Sequence, residues 1–197
     1  MKENEIIQYR MLNKLAEQGG IVIFGSVEDK HIPTGELRQA FALESKVYNR
    51  SFESLSINDA VDAYDKVVAP LLPETVLLHL GEADRELFKA EPMEFDNRYR
   101  ELIAYIRKQN KNCRIAVVSL RNYDNDPEIA EINRHLKFIA DSERCEFGDI
   151  SAKKVWNPIT TINAASFELV YSFGFGQPLK NKYPLYDLVK IMFCYNS

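Results

Sequence analysis

Two short segments do most to limit what this chain can fold into. They are Ile21-Val22-Ile23-Phe24-Gly25-Ser26-Val27 and Thr75-Val76-Leu77-Leu78-His79-Leu80-Gly81-Glu82-Ala83-Asp84. Each is a continuous apolar run that ends in glycine and polar residues. A strand with no polar alternation is covered on both faces, as strands are inside a parallel sheet. The polar residues that follow each run then lie at the carboxyl edge of that sheet, where open α/β folds place their ligands. Arg114 to Leu120 is a further run of this kind, and Val47–Arg50 and Cys145–Ile150 are shorter candidates.

Between these runs the period changes to that of helices. Residues 3–18 carry Ile6, Ile7, Met11, Leu12 and Leu15 as one apolar stripe, closed by Gly19-Gly20. A polar loop from Glu28 to Thr34 leads to a short helix with Pro33 and Thr34 near its start. Ser56 is placed to cap a helix through about Val68, with Asp59 as capping-box partner and Pro70 and Pro73 beyond its end. Residues 94–109 form a charged amphipathic helix around Phe95, Tyr99, Leu102, Ile103 and Ile106. Asp126-Pro127-Glu128 is a cap, a first-turn proline and an acidic first turn for a helix to about Asp141. Leu185–Phe193 reads as a closing helix, and the stretch from Ser151 to Tyr183 is less regular. Strands and helices alternating at this spacing make right-handed βαβ units. The expected fold is a three-layer α/β/α sandwich with a five-stranded parallel sheet, as one domain over 1–197 with an N-terminal helix at about 3–18.

Composition narrows the function classes. The 46% hydrophobic and 27% charged content of the 197 residues is that of a globular domain. A formal charge of −4 argues against nucleic acid as a general partner. The apolar runs are too short for a bilayer span, and charges throughout residues 1–20 argue against a signal peptide. Cys113, Cys145 and Cys194 have no metal-ligand spacing, which favours free thiols in a reducing cytoplasm. No metal site and no cofactor is expected.

The two strand-plus-turn segments resemble the first and third signature blocks of the SGNH (GDSL-like) hydrolases, and the order of elements is similar from Ile21 to Phe193. The first block is Gly-Asp-Ser in that family, with the serine as nucleophile. Here Gly25-Ser26-Val27 puts Val27 in its place, and a one-residue slip would put Ser26 there. The second block supplies a glycine amide; the corresponding position falls near Ser54, after Asn49-Arg50. The third is Gly-x-Asn-Asp, of which Gly81-Glu82-Ala83-Asp84 keeps the ends and replaces the asparagine with Ala83. That amide would be an oxyanion donor, worth about 3 kcal/mol of transition-state stabilisation. The fourth is Asp-x-x-His before the last helix, and Gln177-Pro178-Leu179-Lys180 stands there. No histidine follows His135, so the closing loop cannot supply the general base that a serine nucleophile needs. Glu28, Asp29, Glu53, Glu82 and Asp84 would all lie near the carboxyl edge, where negative charge opposes a developing oxyanion.

The resemblance therefore implies an esterase scaffold without its catalytic set, binding an unidentified small molecule or protein partner in a crevice formed by Gly25, Val27, Glu28, Ser54, Gly81, Glu82, Ala83, Asp84, Gln177 and Lys180. Two alternatives stay open. One is an active esterase on small acyl or acetyl esters, in which Ser26 works with His31. The other is an unrelated flavodoxin-like binding domain. His79, inside an apolar strand, reads as a core histidine bonded to backbone, and His135 as a surface residue.

Overall fold

In the computed structural model the chain is described over residues 2–35, 38, 45–122 and 124–151. Its elements in order are α1 (Lys2–Asn13), β1 (Ile21–Gly25), α2 (Val27–Lys30), β2 (Val47–Asn49), α3 (Ile57–Val67), β3 (Thr75–His79), α4 (Arg85–Ala90), α5 (Pro92–Gln109), β4 (Arg114–Val118), α6 (Pro127–Ser142) and β5 (Glu146–Gly148). The five strands form one sheet in the order β2-β1-β3-β4-β5, with every pair parallel.

Both faces of the sheet are buried, as the unbroken apolar runs require. Val22, Phe24, Val76, Leu78, Ile115 and Val117 point into a core shared with α3, α5 and α6. The alternate residues Ile23, Leu77, Ala116 and Val118 are buried as well. The capping residues act as their sequence positions suggest. Ser56 accepts from the amide of Asn58 at the start of α3, and Asp126 accepts from that of Glu128 with Pro127 in the first turn of α6.

Several boundaries differ from those expected. β3 stops at His79, and β4 at Val118, two residues short of the expected Leu120. The N-terminal helix ends at Asn13 and continues only as a turn through Ala16. Its apolar stripe is split: Ile6 and Tyr9 pack on the core, whereas Ile7, Met11, Leu12 and Leu15 are exposed. α1 is held instead by polar contacts, with Tyr9 Oη donating to the Ser51 carbonyl and Asn13 Nδ2 to that of Val67 at 2.8 Å. Arg50 completes the junction. It donates to Asn13 Oδ1 through Nε at 3.0 Å and Nη2 at 2.8 Å, and it lies against the Tyr9 and Tyr48 rings.

Among the described residues no helix is long and apolar enough to cross a membrane. The expected closing helix, the irregular stretch from 152 to 183, and Gln177, Lys180 and Cys194 lie outside the described residues.

Candidate functional site at the carboxyl edge

The carboxyl ends of β1 and β3 are side by side, with Gly25 in register with His79. Everything in the candidate crevice follows from that pairing. Immediately after Gly25 the chain enters the single turn of α2, which carries Glu28 and Asp29 back over the strand ends. After His79 it turns at Gly81, whose φ of +126° favours glycine and whose missing Cβ leaves room for the Phe95 ring.

His79 and Asp29 form a buried pair. The imidazole Nδ1 is 2.8 Å from Asp29 Oδ2, and the side chains are 2% and 1% exposed. Gly25 is what admits it, since a Cβ there would lie 2.0 Å from Asp29 Oδ2. Burial pushes the imidazole pKa down, but the Asp29 carboxylate and the neighbouring Glu28 outweigh burial and the opposing Arg121, so the net direction is up. Nδ1 thus donates to the carboxylate, and the other ring nitrogen, Nε2, is buried with no hydrogen-bond partner among the described residues. The reading of His79 as bonded to backbone is corrected here: the imidazole is indeed buried, but it is held by a carboxylate 50 residues away in sequence.

Around the pair sit further charges. Glu28 Oε2 is 3.3 Å from Nε of the buried Arg121, which follows β4. Burial nevertheless raises the Glu28 pKa, with the Arg121 attraction acting against it. Ser26 Oγ donates to Glu82 Oε2 at 3.1 Å, and Ser26 is 4% exposed. His79, Glu28, Glu82, Arg121, Arg85, Leu120 and Ile129 line a small cavity of about 50 Å³.

The remaining candidates are distributed around this centre. Asp84 is buried and turned away from the cavity wall. It accepts from Ser56 Oγ at 2.6 Å and from the Ile57 amide at 3.0 Å, so it anchors the start of α3. Asp29 and Asp84 are therefore interior groups. Glu53 faces solvent beside Lys30, at 3.0 Å. Val27, Ser54 and Ala83 are exposed, and His31 is exposed at the end of α2. His135 is partly covered, with Nδ1 2.8 Å from Asp96 Oδ1 and its ring edge-on to Phe88. Among the described residues no group of three or more His, Cys, Asp or Glu side chains is arranged to hold a metal ion.

The sequence matches no family model and no curated protein. Solved structures do resemble the fold. A GDSL-like lipase from Bacteroides thetaiotaomicron superimposes with a TM-score of 0.63 at 12% identity, covering 85% of this chain and 94% of that one. An acetyl-xylooligosaccharide esterase variant of Axe2 from Geobacillus stearothermophilus gives a TM-score of 0.58 at 15% identity, covering 82% and 97%. TesA gives 0.59 at 15% identity, covering 78% and 94%. The chain has the SGNH/GDSL-like hydrolase fold.

Proposed function

We propose that this chain is a catalytically silent protein of the SGNH/GDSL-like fold that keeps its carboxyl-edge crevice as a binding site for a small molecule or a protein partner. One observation carries the reading. The Ser26 hydroxyl, almost fully buried, is engaged by the Glu82 carboxylate, while the imidazole of His79 is bonded through Nδ1 to Asp29.

Hydrolysis by a serine needs three things at one point: an accessible nucleophile, a base within hydrogen-bond reach, and donors aimed at the oxyanion. At Ser26 the hydroxyl is covered. Its partner is an anion placed where negative charge would have to develop, and Ala83 offers no side-chain donor in the third block. A cavity of about 50 Å³ also leaves little space for an ester and its leaving group. The free thiols at Cys113 and Cys145 support a cytoplasmic setting.

The test is hydrolysis of a panel of short-chain aryl esters by the purified chain beside Ser26→Ala. The expected result is turnover equal in the two proteins and equal to the buffer rate. Turnover lost in Ser26→Ala would overturn the reading and make Ser26 a nucleophile for small acyl esters, an activity that the likeness to acetyl esterases favours as the second reading.

A further inference from the structure

α1 turns one face to the core and leaves the opposite face bare. Glu5, Ile6, Tyr9, Asn13 and Ala16 are buried or half-buried, whereas Asn4, Ile7, Gln8, Met11, Leu12 and Leu15 are exposed. The turn after Asn13 extends the spiral, since the amides of Lys14, Leu15 and Ala16 bond to the carbonyls of Met11, Leu12 and Asn13. At the helical repeat Ile7, Met11, Leu12 and Leu15 therefore make one stripe about 12 Å long. The four side chains are 50–86% exposed and together show about 500 Å² of apolar surface, toward the upper end of what a monomer leaves bare. The helix that carries them is fixed in place. Besides the contacts of Tyr9 and Asn13, the buried Glu5 accepts from Lys30 Nζ at 2.8 Å and from the Glu53 amide at 3.2 Å. A face held in this way loses little freedom when it docks.

Area and charge point to one occupant, a second copy of the same face. Two stripes packed together remove about 1,000 Å² from water, and the flanking Asn4, Gln8 and Lys14 bring the total to about 1,200 Å², the lower bound of a specific interface. The flank is self-complementary. Glu3 and Lys14 are both exposed and border the same side of the stripe at its opposite ends. A two-fold axis across the helix sets Glu3 of one copy beside the partner's Lys14, and does so twice. A membrane surface is a poorer fit. The flank holds acid as well as base, and the formal charge of −4 opposes the anionic lipid that such helices favour. We propose that two copies of this chain pair through α1, antiparallel about a two-fold axis, as a dimer of micromolar affinity. The pairing is independent of what the crevice does.

The experiment is sedimentation equilibrium of the full-length chain from about 2 to about 300 μM. The mass should rise from one chain to two with a dissociation constant of about 10–100 μM, as the small area implies. Met11→Lys and Leu15→Lys each put like charges into the seam and should weaken the pairing at least about thirtyfold. Both side chains are exposed in the single chain, so circular dichroism of these variants should match the parent. Met93→Lys, a change at an exposed apolar residue of α5, should leave the constant within about twofold. Lys14→Glu should weaken the pairing about fivefold, and the double variant Glu3→Lys, Lys14→Glu should return to within about twofold of the parent. A single-chain mass at every concentration overturns the proposal and leaves the stripe to another segment of this chain or to a different protein. A dimer that survives both Met11→Lys and Leu15→Lys overturns it too, because another face is then the interface. A charge swap that fails to recover refutes the antiparallel arrangement.

Discussion

Gly25→Ala isolates the contact on which the crevice depends. No unusual backbone conformation forces glycine at this position, so alanine is opposed only by what its methyl would touch. A Cβ at Gly25 would lie 2.0 Å from Asp29 Oδ2 and 3.2 Å from His79 Cβ. The second contact yields to a shift of a few tenths of an ångström. The first does not, because the carboxylate it strikes is almost fully buried and bonded to His79. Expelling Asp29 breaks a buried imidazole–carboxylate pair, a loss of about 3–5 kcal/mol. Replacing glycine also restricts the unfolded chain, which offsets about 0.4–1 kcal/mol of that. The net destabilisation should be about 2–4 kcal/mol, a fall of about 1–2 M in the urea midpoint. The same substitution made in an Asp29→Ala background meets only His79 Cβ and should cost less than about 1 kcal/mol. Equilibrium unfolding of the four proteins gives the coupling directly. Equal costs in the two backgrounds, or a cost below about 1 kcal/mol in the parent, would refute the argument.

Three further outcomes follow from named groups. The His79 pKa is raised on folding, against its burial and the opposing Arg121, by Asp29 and Glu28; its contribution is therefore complete below the unfolded value near 6.5 and is lost as pH rises through the folded one. Urea midpoints measured upward from pH 6 should decline across that window, and Asp29→Asn should flatten the decline. Asp84→Ala removes a buried carboxylate that serves both Ser56 and the Ile57 amide, so it should destabilise by about 3 kcal/mol, whereas a change at exposed Ala83 should stay within about 0.5 kcal/mol by the same unfolding assay. Burial pushes the Cys113 thiol up to about 12 and the Cys145 thiol to about 11. In a Cys194→Ser variant both should react with a disulfide reagent at pH 8 far more slowly than an exposed thiol, and both should react on unfolding.

The parts of this molecule that could be read along the chain are those set by neighbours in sequence. Unbroken apolar runs gave the parallel strands because burial on both faces disfavours polar side chains along the strand. Ser56 and Asp126 gave helix starts because a cap acts within three residues. The Asp29–His79 pair could not be read that way. It depends on Gly25 lying beside His79 in the sheet, a matter of register between strands far apart in sequence, and it joins side chains 50 residues apart. Its one local trace is a histidine set in an apolar strand. Asp84 misled for a similar reason: in sequence it belongs to the crevice loop, yet its carboxylate crosses to the first turn of a helix that precedes it. The stripe on α1 misled in the opposite direction. Its period was helical, but Tyr9, Asn13 and Arg50 orient the helix through polar contacts, and four of its large apolar residues face outward.

That polar attachment bears on the order of events during synthesis. α1 leaves the ribosome before the sheet that it packs on, and a helix of 12 residues has little stability of its own. Its anchors arrive late: Arg50 is 37 residues beyond Asn13, and the Val67 carbonyl is 54 beyond. At about 5–20 residues per second, the growing chain waits several seconds before α1 can be fastened. During that interval Ile7, Met11, Leu12 and Leu15 travel on a tether that has nothing yet to hold it. α1 is thus an element whose folding is decided by residues made after it.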